Sequence, residues 1–149
     1  MMFQSVSGTS MPMPIPASLE ANASTDVVAV TETKRKLDMD SMTTEEYVRH
    51  YFSDIPVMAE IARCESRFRH YVNGEVLRGE MVPQDRGVMQ VNEYYHLEDS
   101  KKLGFDIYTL EGNVAYARYL YEKQGTRPWR ASAKCWGNAY PAHYELAMR

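Results

Sequence analysis

A chain of 149 residues with a net charge of -3 is long enough for one domain with a core of its own. The acidic balance excludes a protein that holds nucleic acid through a basic surface, and no apolar run reaches the roughly 18 to 20 residues of a membrane span. Two cysteines and four histidines in no ligand spacing imply no metal, and nothing implies an organic cofactor.

Residues 1–40 have the composition of a tail or linker. MPMPIP, ASLEANAST and TETKRKLDMD bring Pro, Ser, Thr and Ala without a sustained apolar period, which predicts a disordered or PPII-like segment. No basic stretch precedes an apolar core, so no signal peptide is recognisable. The valines at 27–30 amount to a stray strand at most.

Order is expected from Ser41, with one domain over 41–149. Thr43 or Thr44 caps a helix over EEYVRHYF, Glu46 completing a capping box with Thr43, and Val48, Tyr51 and Phe52 make the apolar face. A tight corner at 53–55 leads into PVMAEIARCESRF, where Pro56 suits the first helical position. Met58, Ile61, Ala62, Glu65 and Phe68 recur there at spacings of three and four, the repeat of a buried stripe.

Asn73-Gly74 between short β-prone runs predicts a hairpin. Residues 84–92, QDRGVMQVN, read as another short strand, and a bend at Gly87 brings Asp85 and Gln90 to one cleft. Asn92 then caps a helix ending at Gly104. Thr109 caps a longer one ending at Gly125, with Leu110, Val114, Ala117 and Tyr121 inside; Tyr116, Tyr119 and Tyr121 read first as core and rim packing, with a sugar platform as the alternative for one of them. Trp129, Cys135 and Trp136 bring the chain back before a short helix over 140–148. The class is α+β, mainly α, with a small antiparallel hairpin sheet beside a helical lobe.

Glu65 is the residue the rest is organised around. A carboxyl group stands where the stripe calls for an apolar residue, and desolvation there raises its pKa toward the range of a general acid. The alternative is a structural glutamate held by an arginine or by backbone amides. Asp85 in its polar segment is the second carboxylate, and an apolar setting for one with a polar setting for the other separates acid from anion. Glycosidic cleavage needs that pair. Arg63, Arg67, Arg69, Arg78 and Arg86 cluster around this helix and either meet an anionic polymer or form a solvated face. Cys64 and Cys135 are either one disulfide or two buried thiols.

At Ile61-Ala62-Arg63-Cys64-Glu65-Ser66, Gly87-Val88-Met89-Gln90 and Asn113-Val114-Ala115-Tyr116-Ala117-Arg118-Tyr119-Leu120, the chain resembles the lysozyme-like superfamily. It is most similar to bacterial lytic-transglycosylase (SLT-type) domains, with their I-A-x-x-E-S helix end, G-L-M-Q strand and N-x-x-x-G-x-x-Y-L helix. The Cys64-Glu65-Ser66 run with a later Trp129 and Cys135 is similar to resuscitation-promoting factors. That likeness implies a Cys64–Cys135 disulfide, worth about 3 to 4 kcal/mol, and an oxidising, extracytoplasmic setting. Asp85-Arg86-Gly87-Val88-Met89-Gln90-Val91-Asn92 looks like the D-x-G-x-x-Q-x-N strand of animal-type lysozymes, whose aspartate is catalytic.

The resemblance implies a monomeric muramidase acting on the peptidoglycan glycan strand. Glu65 would be acid then base, and Asp85 nucleophile, stabiliser or positioning anion. Gly87, Val88, Met89, Gln90, Asn92 and Tyr116 would bind the sugars. A catalytically silent glycan-binding or wall-assembly module on the same fold is the alternative. The family's late A-Y-N-x-G motif is not recognisable, and Ala131-Ser132-Ala133-Lys134-Cys135-Trp136 stands in its place. No tyrosine is therefore assigned beside Glu65, and hydrolysis and transglycosylation both stay open.

Overall fold

The computed structural model describes residues 20–149. Its contacts divide the chain into two units, Met1–Ser41 and Met42–Arg149. In the first, helix α1 runs over Glu20–Asp40, where the composition predicted a tail without regular structure. Its Ala, Glu, Lys, Arg, Leu and Met are good helix formers, and Thr31 and Thr33 return their hydroxyls to carbonyls one turn back. Val27, Val28 and Val30 lie on this helix, not in a strand, and are exposed. The MPMPIP run lies outside the described residues.

The second unit is mainly helical, with two small antiparallel hairpins. Helix α2 (Thr44–Tyr51) starts at the predicted capping box, Thr43 and Glu46 each bonding the other's backbone amide. Tyr47 takes the buried place expected of Tyr51, beside Val48 and Phe52. After the corner, α3 (Pro56–Ser66) packs against α2 with Met58, Ile61 and Ala62 fully inside. It stops two residues before the predicted end because Arg67 and Phe68 turn left-handed, at φ 56° and 57°.

Strands β1 (Tyr71–Val72) and β2 (Glu75–Val76) form the predicted Asn73-Gly74 hairpin, with both turn residues at positive φ. Residues 84–92 are a second hairpin and not the single bent strand the sequence suggested. Strands β3 (Asp85–Arg86) and β4 (Val91–Asn92) pair Asp85 with Asn92 and Arg86 with Val91 around the turn from Gly87 to Gln90. A bridge between Arg78 and Arg86 ties the two hairpins together.

Asn92 caps α4 (Glu93–Lys102), and Thr109 caps α5 (Leu110–Gln124) by accepting the Gly112 amide. The buried face of α5 is Asn113, Val114, Tyr116, Ala117 and Leu120, rotated from the predicted stripe, so Leu110 and Tyr121 stand at its edges. A 3-10 helix (Arg127–Ser132) follows, then α6 (Ala133–Trp136) and α7 (Pro141–Met148). The core lies where α3, α5, the 3-10 helix and α6 meet, closed by Trp129 and Trp136. Among the described residues no helix is long and apolar enough to cross a membrane.

Candidate active site

The end of α3 is held from outside the helix. A disulfide joins Cys64 to Cys135 on α6, with the two Cα atoms 6.0 Å apart. The bridge brings the start of α6 against the last turn of α3, next to Glu65. Ser132, the last residue of the 3-10 helix, donates from Oγ to Glu65 Oε1 at 2.7 Å. Trp136 Nε1 donates to the same Oγ at 3.2 Å and orients it.

Glu65 is half-buried, and burial pushes its pKa up. The Ser132 hydrogen bond opposes this by favouring the anion, and the negative charge of Asp85 adds to the upward push. Among the described residues no arginine or backbone amide holds this carboxyl. The pull that would keep a structural glutamate ionised is thus confined to one serine hydroxyl.

Asp85 enters from β3. Asn92, its cross-strand partner, donates from Nδ2 to Asp85 Oδ1 at 2.8 Å. Burial raises the Asp85 pKa as well, and the Asn92 amide works against that rise. The expected contrast of one apolar and one polar setting is therefore a contrast of hydrogen-bond donors: a serine hydroxyl for Glu65, a cross-strand amide for Asp85.

The β3–β4 turn is held by side chains from several other elements. Gly87 sits at φ +68°, and a Cβ there would lie 2.5 Å from the His70 ring. His70 is buried and accepts the Val88 amide at Nδ1, so its proton sits on Nε2 and goes to the Tyr108 carbonyl. Asn113 of α5 accepts the Met89 amide and donates to the Arg86 and Ile107 carbonyls. Trp129 Nε1 caps the Met89 carbonyl at 2.9 Å. Arg86 makes a two-point ion pair with Glu93, which also accepts the Tyr108 hydroxyl.

A groove runs past both carboxyls. It holds about 800 Å³ on one side and about 510 Å³ on the other, and Glu65, Val82, Asp85, Gln90 and Ala131 line both parts. The hairpin turn, in place of the expected strand bend, brings Asp85 and Gln90 to one cleft: a Cβ on Gly79 would stand 3.1 Å from Asp85 Cβ and 3.0 Å from Gln90 Oε1. Asn92 lines the larger part.

The other expected sugar contacts are elsewhere. Gly87, Val88 and Met89 are buried, their amides donating to the Leu77 carbonyl, His70 and Asn113, and Tyr116 is 1% exposed among His96, Phe105 and Tyr119. None of these four lines the groove. Tyr95 does, at 72% exposure, an aromatic ring on the groove wall.

No protein-family model matches the chain, and neither a curated protein nor a solved structure matches it.

What the groove offers is a pair of carboxyls for acid–base chemistry in a furrow of mixed polar and apolar lining. Among the described residues no cluster of three or more His, Cys, Asp or Glu is placed to hold a metal ion. Ser132 and Tyr95 carried no signal in the sequence. Ser132 reaches Glu65 only through the disulfide and the 3-10 turn, and Tyr95 is one of two adjacent tyrosines whose helical phase decides which faces the groove.

Proposed function

We propose that the Met42–Arg149 unit is a peptidoglycan-cleaving muramidase, acting on the β-1,4 bond between N-acetylmuramic acid and N-acetylglucosamine. The observation that carries this reading is Glu65, a half-buried carboxyl with a raised pKa, opening on a groove that also presents Asp85. In its neutral form Glu65 protonates the leaving glycosidic oxygen. The Asp85 anion, steadied by Asn92, stabilises the oxocarbenium-like centre or attacks it. Glu65, now a carboxylate, takes a proton from the incoming water, or from the sugar's own 6-hydroxyl if an anhydro end is formed. Gln90 and Tyr95 contact the sugars from the groove wall. A disulfide at the catalytic helix fits work outside the cytoplasm.

Mass spectrometry of the fragments released from purified cell walls tests the reading and decides its chemistry. Products with reducing ends mean hydrolysis, and products lighter by one water mean transglycosylation. Asp85→Asn sharpens the choice: a collapse in rate fits a catalytic aspartate, a mild loss a positioning one. Wall binding with no fragment released would instead make this a glycan-binding module.

A further inference from the structure

The arginines of the Met42–Arg149 unit sort into two sets. Arg49, Arg63, Arg86 and Arg118 each pair with a carboxylate, respectively Glu45, Glu60, Glu93 and Asp54, and none of these arginines lines the groove. Arg67, Arg69, Arg78, Arg127, Arg130 and Arg149 make no ion pair among the described residues, and all of them line it.

Their distribution follows the site. Arg67, Arg69 and Arg78 border the smaller part of the groove, while Arg127, Arg130 and Arg149 border the larger, with Glu65 between the two groups. Among the described residues the acids on the lining are Glu65, Asp85 and Glu80, so six arginines face three carboxyls over the two parts together, although the smaller part alone holds three of each. Arg69 donates to the Ser66 carbonyl, and Arg78 lies near enough to Glu93 to lower its pKa, but neither guanidinium is neutralised by a contact. A merely solvated arginine face has no reason to sort with the groove; a binding surface for anions does.

Resting on the muramidase reading, we infer that the groove selects glycan strands that carry free carboxylates on both sides of the scissile bond, the acid groups of peptide stems, over uncharged aminosugar polymers of the same linkage. The planar guanidinium fork matches a carboxylate at two points, which a neutral acetamido or hydroxyl group does not offer. A phosphodiester polymer shares the anionic chemistry, so the test includes one.

The full chain carrying Glu65→Gln binds without cutting, and titration calorimetry compares glycan fragments of equal sugar number. One fragment bears stems with free carboxylates, and the other bears the same stems capped as amides. An exposed arginine–carboxylate contact is worth a factor of about 1.5 to 5, so several together give the free acid an advantage on the order of tenfold. That advantage shrinks in about 1 M salt, where the screening length falls to about 3 Å. It also shrinks in Arg67→Gln/Arg78→Gln and in Arg127→Gln/Arg130→Gln, one pair from each side, with circular dichroism confirming the fold.

Equal affinity for free and capped fragments overturns the inference and leaves the muramidase reading standing. A loss in only one of the two double variants overturns the two-sided form. Competition by a glycerol-phosphate polymer that matches the free-acid fragment assigns the arginines to phosphate and overturns carboxylate selection. Binding of neither fragment contradicts the muramidase reading, and this inference with it.

Discussion

Ser132 Oγ donates to Glu65 Oε1 at 2.7 Å and stands 3.0 Å from the Trp129 carbonyl, so one hydroxyl proton has two acceptors. With Glu65 ionised, the proton belongs on the carboxylate, where a charge-assisted bond is stronger. With Glu65 neutral, it is free to turn to Trp129. The serine therefore tunes the proton affinity of the acid it touches, in the place where the sequence offered no tyrosine.

Ser132→Ala removes the one hydrogen bond that favours the Glu65 anion, so the Glu65 pKa rises further. A general acid works while protonated, so activity persists to higher pH before it falls. Initial rates of wall solubilisation across the pH range check this: the alkaline limb moves upward. An unmoved limb contradicts the role of Ser132.

Glu65 and Asp85 both have folded-state pKa values raised by burial, so the folded chain holds their protons more tightly than the unfolded one. The stability this gives is fully present below the unfolded carboxylate range and is lost as pH rises through the folded values. Glu65→Gln removes the buried charge while keeping the shape. Its Tm exceeds that of the parent at about pH 7 and matches it at about pH 3, where the parent carboxyl is already neutral. Thermal scans at the two pH values are the check.

The Cys64–Cys135 bridge closes a long loop, with a sequence separation of 71. Its removal costs about 3 to 4 kcal/mol, a fall in Tm of roughly 10 to 20 °C for a unit of this size. Scans with and without reductant measure it. Reduction also unties the last turn of α3, which carries Glu65, from α6, so activity falls before the fold melts.

Gly87→Ala meets two obstacles, a positive φ and the His70 ring at 2.5 Å from the new Cβ. Left-handed strain and overpacking together cost about 2 to 5 kcal/mol. Denaturant unfolding gives the number directly, and a loss below about 1 kcal/mol would show that the turn yields.

Local signals carried most of the helical frame. Thr43, Asn92 and Thr109 cap where their side chains predict, and Asn73-Gly74 turns its hairpin, because each acts on backbone within a few residues. The failures are tertiary. Residues 84–92 fold as a hairpin because His70, Asn113 and Trp129 reach in from distant elements to hold the turn, and no local pattern encodes that. For the same reason Val88 and Met89, read as groove residues, are core. Tyr116 looked like a sugar platform only while the phase of α5 was set one step away from its buried face. Along α1 the signal misled in the other direction: good helix formers without an apolar stripe read as a tail.

The most direct test of the central claim is muropeptide release from purified cell walls by the parent chain and by Glu65→Gln, side by side. The parent is expected to release soluble fragments, and Glu65→Gln none above background while still folding and still binding the wall. Fragment release by Glu65→Gln at a rate near that of the parent would contradict that claim.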